Sequence, residues 1–110
     1  MVNRRAEPLD STFAALADPT RRAILRRLAS GEQTVSALAE PFGMSLPAVV
    51  KHLRVLKDAG LVEQRREGRT RPCRLRAEPL RDAAEWVAAY GAFWSSRLDG
   101  LAEYLGEEPE

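Results

Sequence analysis

Reactive and cross-linking side chains are scarce in this sequence. Its 110 residues contain one cysteine, Cys73, and one histidine, His52. A lone thiol excludes an intrachain disulfide, and one thiol with one imidazole cannot assemble a multi-ligand soft-metal site within a subunit. No apolar run is long enough to span a bilayer, and the opening MVNRRAEPLD has no apolar signal-peptide core. The expectation is a cytoplasmic, soluble protein with no membrane partner. There is no nucleophile–base–orienter set, no phosphate-cradling glycine loop and no carboxylate cluster outside the acidic tail, which argues against an enzyme. Internal repeats, low-complexity linkers and composition breaks are also missing. Residues 1–110 therefore read as one domain, with 45% apolar residues to build a small core.

Charge is plentiful but segregated. The formal net charge is only +1. Between Lys51 and Arg76, however, nine basic residues face three acidic ones, a local +6. From Ala77 onward two basic residues face eight acidic ones, a local −6. A contiguous basic segment attracts polyanions even when the whole chain is nearly neutral.

Local signals place the elements. Leu9, Phe13, Leu16 and Ala17 have helical spacing, predicting a first helix over about 9–17. Asp18 is a good N-cap and Pro19 suits the first position of a second helix, with Ile24, Leu25 and Leu28 inward and the arginine pairs 21–22 and 26–27 mostly outward. Thr34 caps a short third helix carrying Val35, Leu38 and Ala39, and Pro41 and Gly43 end it. Ser45 caps a fourth, in which Val49, Leu53 and Leu56 form the buried stripe, and Gly60 closes it with Leu61 placed for the accompanying apolar contact. LVEQRR and RPCRLR then flank EGRT as a hairpin turning at Gly68, with Pro72 at an outward or bulged position. Pro79 to about Leu105 reads as one long helix.

Four helices, a basic hairpin and a final helix make a mostly α chain, α-α-α-α-β-β-α, with the order of a winged helix-turn-helix. In that arrangement the fourth helix enters the DNA major groove. Its outward residues are Ser45, Leu46, Pro47, Ala48, Val50, Lys51 and Arg54. Small side chains allow close approach: Ala48 and Val50 can touch thymine methyls, and Lys51 or Arg54 can reach guanine or phosphate. Arg66, Arg69 and Arg71 flank the hairpin turn, placed for phosphates or the minor groove. The alternative is a winged helix that binds only protein, which would lack steeply salt-dependent DNA binding.

The runs FAALADPTRRAILRRL, TVSALAEPFGMSLPAVVKHLRVLKDAGLVEQRREGR and CRL resemble the arsenic-repressor-type (ArsR) winged-helix transcription regulators, over Leu9 through Leu105. The closing FWSSRLDGLAEYL resembles the branch without metal ligands. The resemblance implies a homodimer that binds operator DNA and usually represses, with the first and last helices as the dimer interface. Thr34 and Ser36 stand at the family's Cys-x-Cys metal positions, and the last helix carries no histidine, so neither a metal nor another cofactor is implied. Val50 stands where the family commonly has serine, and Thr70 and Pro72 stand where many relatives have aromatic wing residues. Two recognition helices about a two-fold axis would read a roughly palindromic double-stranded operator.

Three further features complete the reading. His52 flanks the fourth helix as a packing and hydrogen-bonding residue, or else as a phosphate contact. The strand alternation buries Cys73 as a small hydrophobe, the alternative being a thiol made reactive by the arginines beside it. On the last helix, Trp86, Tyr90, Phe93, Trp94, Leu98 and Leu101 exceed what a small domain can cover. They are assigned, with Phe13 and Leu16, to the dimer interface. Gly91 and Gly100 there mark candidate points of close helix approach.

Overall fold

The computed structural model describes residues 8–106; the side chains of Ala92, Trp94 and Ser95 lie outside the described residues. The chain forms α1 (Pro8–Leu16), α2 (Pro19–Leu28), β1 (Gln33–Thr34), α3 (Val35–Ala39), α4 (Leu46–Asp58), β2 (Val62–Gln64), β3 (Pro72–Leu75), α5 (Glu78–Ala88) and α6 (Gly91–Tyr104). α3, a 3-10 turn at Glu40–Phe42 and α4 are the helix-turn-helix, and the β2–β3 hairpin is the wing.

Helix starts follow local capping chemistry. The Asp18 carboxylate accepts the Arg21 backbone N–H at 3.0 Å, the Thr34 hydroxyl accepts that of Ala37 at 3.2 Å, and the Ser45 hydroxyl accepts that of Ala48 at 3.3 Å. Each satisfies a backbone donor that the first helical turn leaves unpaired. α4 ends in a Schellman arrangement: Gly60 adopts φ 76°, its N–H reaches the Lys57 carbonyl, and the Leu61 N–H reaches the Leu56 carbonyl, both at 2.9 Å. Leu61 is fully buried, which supplies the apolar contact of that motif.

The core is the one the periodicities predict. Ile24, Leu25 and Leu28 from α2, Leu38 from α3, and Val49, Leu53 and Leu56 from α4 close over Leu61, Val62 and Cys73. Arg21 and Arg22 have a role that their outward spacing conceals. The Arg21 guanidinium donates to the carbonyls of Ala15 and Ala14, at 2.7 and 3.0 Å, and that of Arg22 to Leu16 at 2.7 Å. Arg21 and Arg22 thus cap the last turn of α1, where carbonyls lack helical partners.

Two expectations need correction. The β structure is a three-stranded antiparallel sheet in the order β1-β3-β2, not a hairpin alone. Gln33 pairs with Cys73 and Thr34 with Pro72. At only two residues, β1 is too short to show an alternating pattern. Pro72 lies on the middle strand but at its first position, where a strand tolerates proline. Its carbonyl accepts the Arg65 N–H at 3.1 Å; its ring nitrogen has no proton to return, and β2 stops at Gln64.

The final helix is also two helices. α5 closes with the Ala89 N–H on the Glu85 carbonyl and the Tyr90 N–H on the Val87 carbonyl, the second a tightened i to i−3 bond. Tyr90, at φ −98° and ψ 4°, leaves the α region, and Gly91 opens α6. Glycine is the weakest ordinary residue for continuing a helix. α5 packs on α1, whereas no element packs comparably on α6. The Cα radius of gyration is 18.5 Å, against about 13 Å for a compact chain of this length.

Candidate nucleic-acid interface

The cap at Ser45 fixes the leading end of α4 and commits that hydroxyl to the helix itself. Leu46, Pro47, Val50, Lys51 and Arg54 are exposed behind it. Ala48 departs from the expected face. It is half-buried, and two positions along a helix separate it from Val50 by about 200°. Leu46, a full turn before Val50, takes its place beside that residue.

The wing turns tightly. Glu67 and Thr70 exchange both backbone hydrogen bonds, at 3.0 and 2.9 Å, around Gly68 and Arg69. Gly68 has φ 61° and, among the described residues, no non-glycine residue has positive φ, the signature of a type II′ turn. Arg66, Arg69 and Arg71 are exposed around it. Arg69 and Arg71 face α4 across a cleft of about 720 Å³, whose α4 side is Leu46, Val50, Leu53 and Arg54. Among the described residues, no carboxylate lines this cleft. Arg66, Pro47, Lys51 and Ser45 lie outside it.

Sequence reasoning had missed Thr34, Ser36, Lys57 and Gln64, which also line the cleft. β1 brings Thr34 there and the start of α3 brings Ser36, and the Lys57 ammonium donates to the Gln64 side chain at 3.0 Å, tying α4 to β2.

Cross-strand register divides the basic segment into two populations. Glu63 lies opposite Arg74, and their side chains meet at 2.8 Å; Arg76 adds a contact to Glu63 at 3.5 Å and another to Glu78 at 3.5 Å. Arg65 meets Glu32 at 2.8 Å and Glu67 at 3.1 Å. The Arg74 guanidinium holds the Glu63 carboxyl below its ordinary range, and the two glutamates hold Arg65 above its own. Among the described residues, Lys51, Arg54, Lys57, Arg66, Arg69 and Arg71 have no ion-pair partner. Lys57 is held to the neutral Gln64 side chain, and the other five are expected DNA contacts.

The remaining candidates are structural. His52 is half-buried, with Nδ1 3.9 Å from an Asp18 carboxylate oxygen, beyond hydrogen-bond reach. The Asp18 carboxyl is held below its ordinary range, chiefly by the Arg21 N–H and less by His52. Cys73 is 0% exposed, and burial pushes its thiol above the ordinary range. Among the described residues, no three His, Cys, Asp or Glu side chains converge as a metal site, and no helix is long and apolar enough to cross a membrane.

The apolar stripe on α5 and α6 lies open. Phe13 meets Trp86 edge-on at 5.7 Å, and Trp86 meets Tyr90 at 5.2 Å, joining α1 to α5. Beyond them Phe93, Leu98 and Leu101 are exposed, Leu98 by 62%. Leu16 is half-buried against the core, and the Trp94 side chain lies outside the described residues. A Cβ at Gly91 or Gly100 would meet nothing within 4 Å, so the protomer itself makes no close approach at either.

Residues 16–65 match the helix-turn-helix domain family model. The chain is 41% identical over 99 residues to the HTH-type transcriptional regulator Rv2034 of Mycobacterium tuberculosis, covering 90% of each. It is 35% identical over 79 residues to the transcriptional repressor SdpR of Bacillus subtilis, covering 72% of this chain and 88% of that one. Among solved structures, the ArsR family transcriptional regulator RHA00566 superposes with a TM-score of 0.76 at 45% identity, covering 81% of this chain and 98% of that one. The homodimeric winged helix-turn-helix DNA-binding domain Mb0332 of Mycobacterium bovis does so with a TM-score of 0.60 at 36% identity, covering 91% and 93%. The chain thus belongs to the ArsR family of helix-turn-helix transcriptional regulators.

Proposed function

We propose that this protein is a homodimeric repressor that binds a roughly palindromic DNA operator in the cytoplasm, and that its response does not depend on a metal ion. The division of the basic segment carries this reading. Carboxylates neutralise Arg65, Arg74 and Arg76, while among the described residues Lys51, Arg54, Lys57, Arg66, Arg69 and Arg71 have no ion-pair partner on the recognition helix and around the wing. Free cations on those two elements match a duplex, in which α4 meets base edges and the wing meets the sugar-phosphate backbone. The homodimeric relative supports assembly into a dimer; the exposed apolar faces of α1, α5 and α6 are the surface assigned to it here, which would set two α4 helices about one axis. Thr34 and Ser36 are poor soft-metal ligands, in keeping with a metal-independent role.

The test is selection of duplexes from a random pool, followed by titration of the enriched sequence across salt concentrations. An inverted repeat, and a steep linear fall of log affinity with log salt, is the expected result. Binding that ignores both sequence and salt would favour a protein-only interaction module. It would also remove operator binding as the function.

A further inference from the structure

Leu46 and Val50 are one helical turn apart at the leading half of α4, 49% and 43% exposed. Neither belongs to the buried core. The buried stripe of this helix is Val49, Leu53 and Leu56. Instead they form an apolar strip on the α4 side of the cleft, bordered by Arg54 and faced by Arg69 and Arg71. Phosphate contact alone gives no use for such a strip. Neither side chain has a hydrogen-bond donor or acceptor, so neither can read the polar edge of guanine, adenine or cytosine. The thymine C5-methyl is the one apolar group among the base edges of the major groove. A cytosine in the same place would have its exocyclic amine desolvated without a partner.

We infer that Leu46 and Val50 select thymine at one or two positions of each operator half-site through contact with its C5-methyl group. The inference rests on the DNA-binding reading above and adds the base chemistry to it. Ala48, on another side of the helix and half-buried, takes no part. Val50 sets this specificity by being apolar; a serine there could take a hydrogen bond from an amine.

The experiment uses the full-length protein and the duplex enriched from a random pool. Each thymine is replaced singly by deoxyuridine, which removes the methyl and keeps the base pair, and affinity is read by fluorescence anisotropy at fixed salt. The expected result is about fourfold weaker binding at one or two thymines per half-site, the effect of losing one methyl-sized apolar contact. That penalty should nearly vanish in Leu46→Ala or Val50→Ala, both exposed positions that the core does not need. Deoxyuridine tolerated within about 1.5-fold at every position overturns the inference and leaves DNA binding standing. So does a penalty of equal size in both alanine variants. If no duplex is enriched at all, the DNA-binding reading falls and this inference falls with it.

Discussion

The Arg65 guanidinium lies 2.8 Å from the Glu32 carboxylate, bonding the base of the wing to the segment that leads into β1. Arg69, four residues along the same hairpin, has no such partner among the described residues. Their expected phenotypes differ accordingly. Arg69→Ala should weaken binding to many sequences alike and flatten the log–log salt dependence by about one unit. Arg65→Ala should leave that slope unchanged, because its charge is already met within the protein. Titrations at four or five salt concentrations separate the two. Equal slopes in both variants would mean that the ion pairing does not divide the cations.

Arg54 faces outward on α4 beside the cleft. Arg54→Ala should cost specific affinity by roughly 1–3 kcal/mol if the guanidinium grips a guanine edge with both arms. Gel-shift titration with the selected operator measures this, and unchanged affinity in a folded variant removes Arg54 from the base-reading set.

The exposed stripe of α6 predicts assembly behaviour. Leu98 is 62% exposed in the protomer, so Leu98→Asp introduces no buried charge there. In a dimer closed over this helix it would bury a carboxylate without a partner, which is strongly unfavourable. Sedimentation at low micromolar concentration should find folded monomers with weakened operator binding. A dimer that survives Leu98→Asp with full operator affinity would place the interface elsewhere.

Leu56 is fully buried between α4 and the rest of the core. Leu56→Ala should destabilise the fold by about 2–5 kcal/mol, the range for emptying a packed leucine site. Urea denaturation at fixed protein concentration gives the number.

The Asp18 cap predicts a pH dependence. Its carboxyl is held below the ordinary range in the folded state, so its contribution is fully present above the unfolded carboxyl pKa. That contribution is lost as pH falls through the lower folded value. Asp18→Asn keeps an oxygen that can accept the Arg21 N–H but removes the titration. Its Tm should therefore fall less steeply than that of the native protein on acidification through this range. Parallel curves would assign the acid sensitivity to other carboxylates, with Glu63 beside Arg74 the next to test.

Much of this architecture was legible because its signals are local. Asp18-Pro19, Thr34, Ser45 and Gly60 fix helix ends through bonds that span three to five residues, and the stripe of α4 follows from its own period. What escaped was decided across the chain. β1 exists because Gln33 and Thr34 meet Cys73 and Pro72, some forty residues away. The hairpin register, not the count of charges, leaves Arg69 free while Arg74 is paired. Arg21 and Arg22 had the spacing of a solvent face, yet their guanidinium groups curl back to the end of α1. The break at Tyr90 had a visible cue in Gly91, but the continuous apolar stripe outweighed it. Ala48 was misplaced for a simpler reason, since two positions two residues apart cannot share one face of a helix.

The connection at Gly60 has a mechanical consequence. Only Ala59, Gly60 and Leu61 separate α4 from β2, and Leu61 is pinned at both ends of its peptide, its N–H to Leu56 and its carbonyl to the Arg76 N–H at 2.8 Å. There is no slack to take up a rotation. Tilting α4 by a few degrees swings the far tip of the hairpin through an arc, as a crank turns its handle. On the proposed reading, base contact by α4 and backbone contact by the wing are therefore not separate adjustments. A duplex that seated the helix poorly would also lift the arginines at the tip, so that one poor base step would be felt twice.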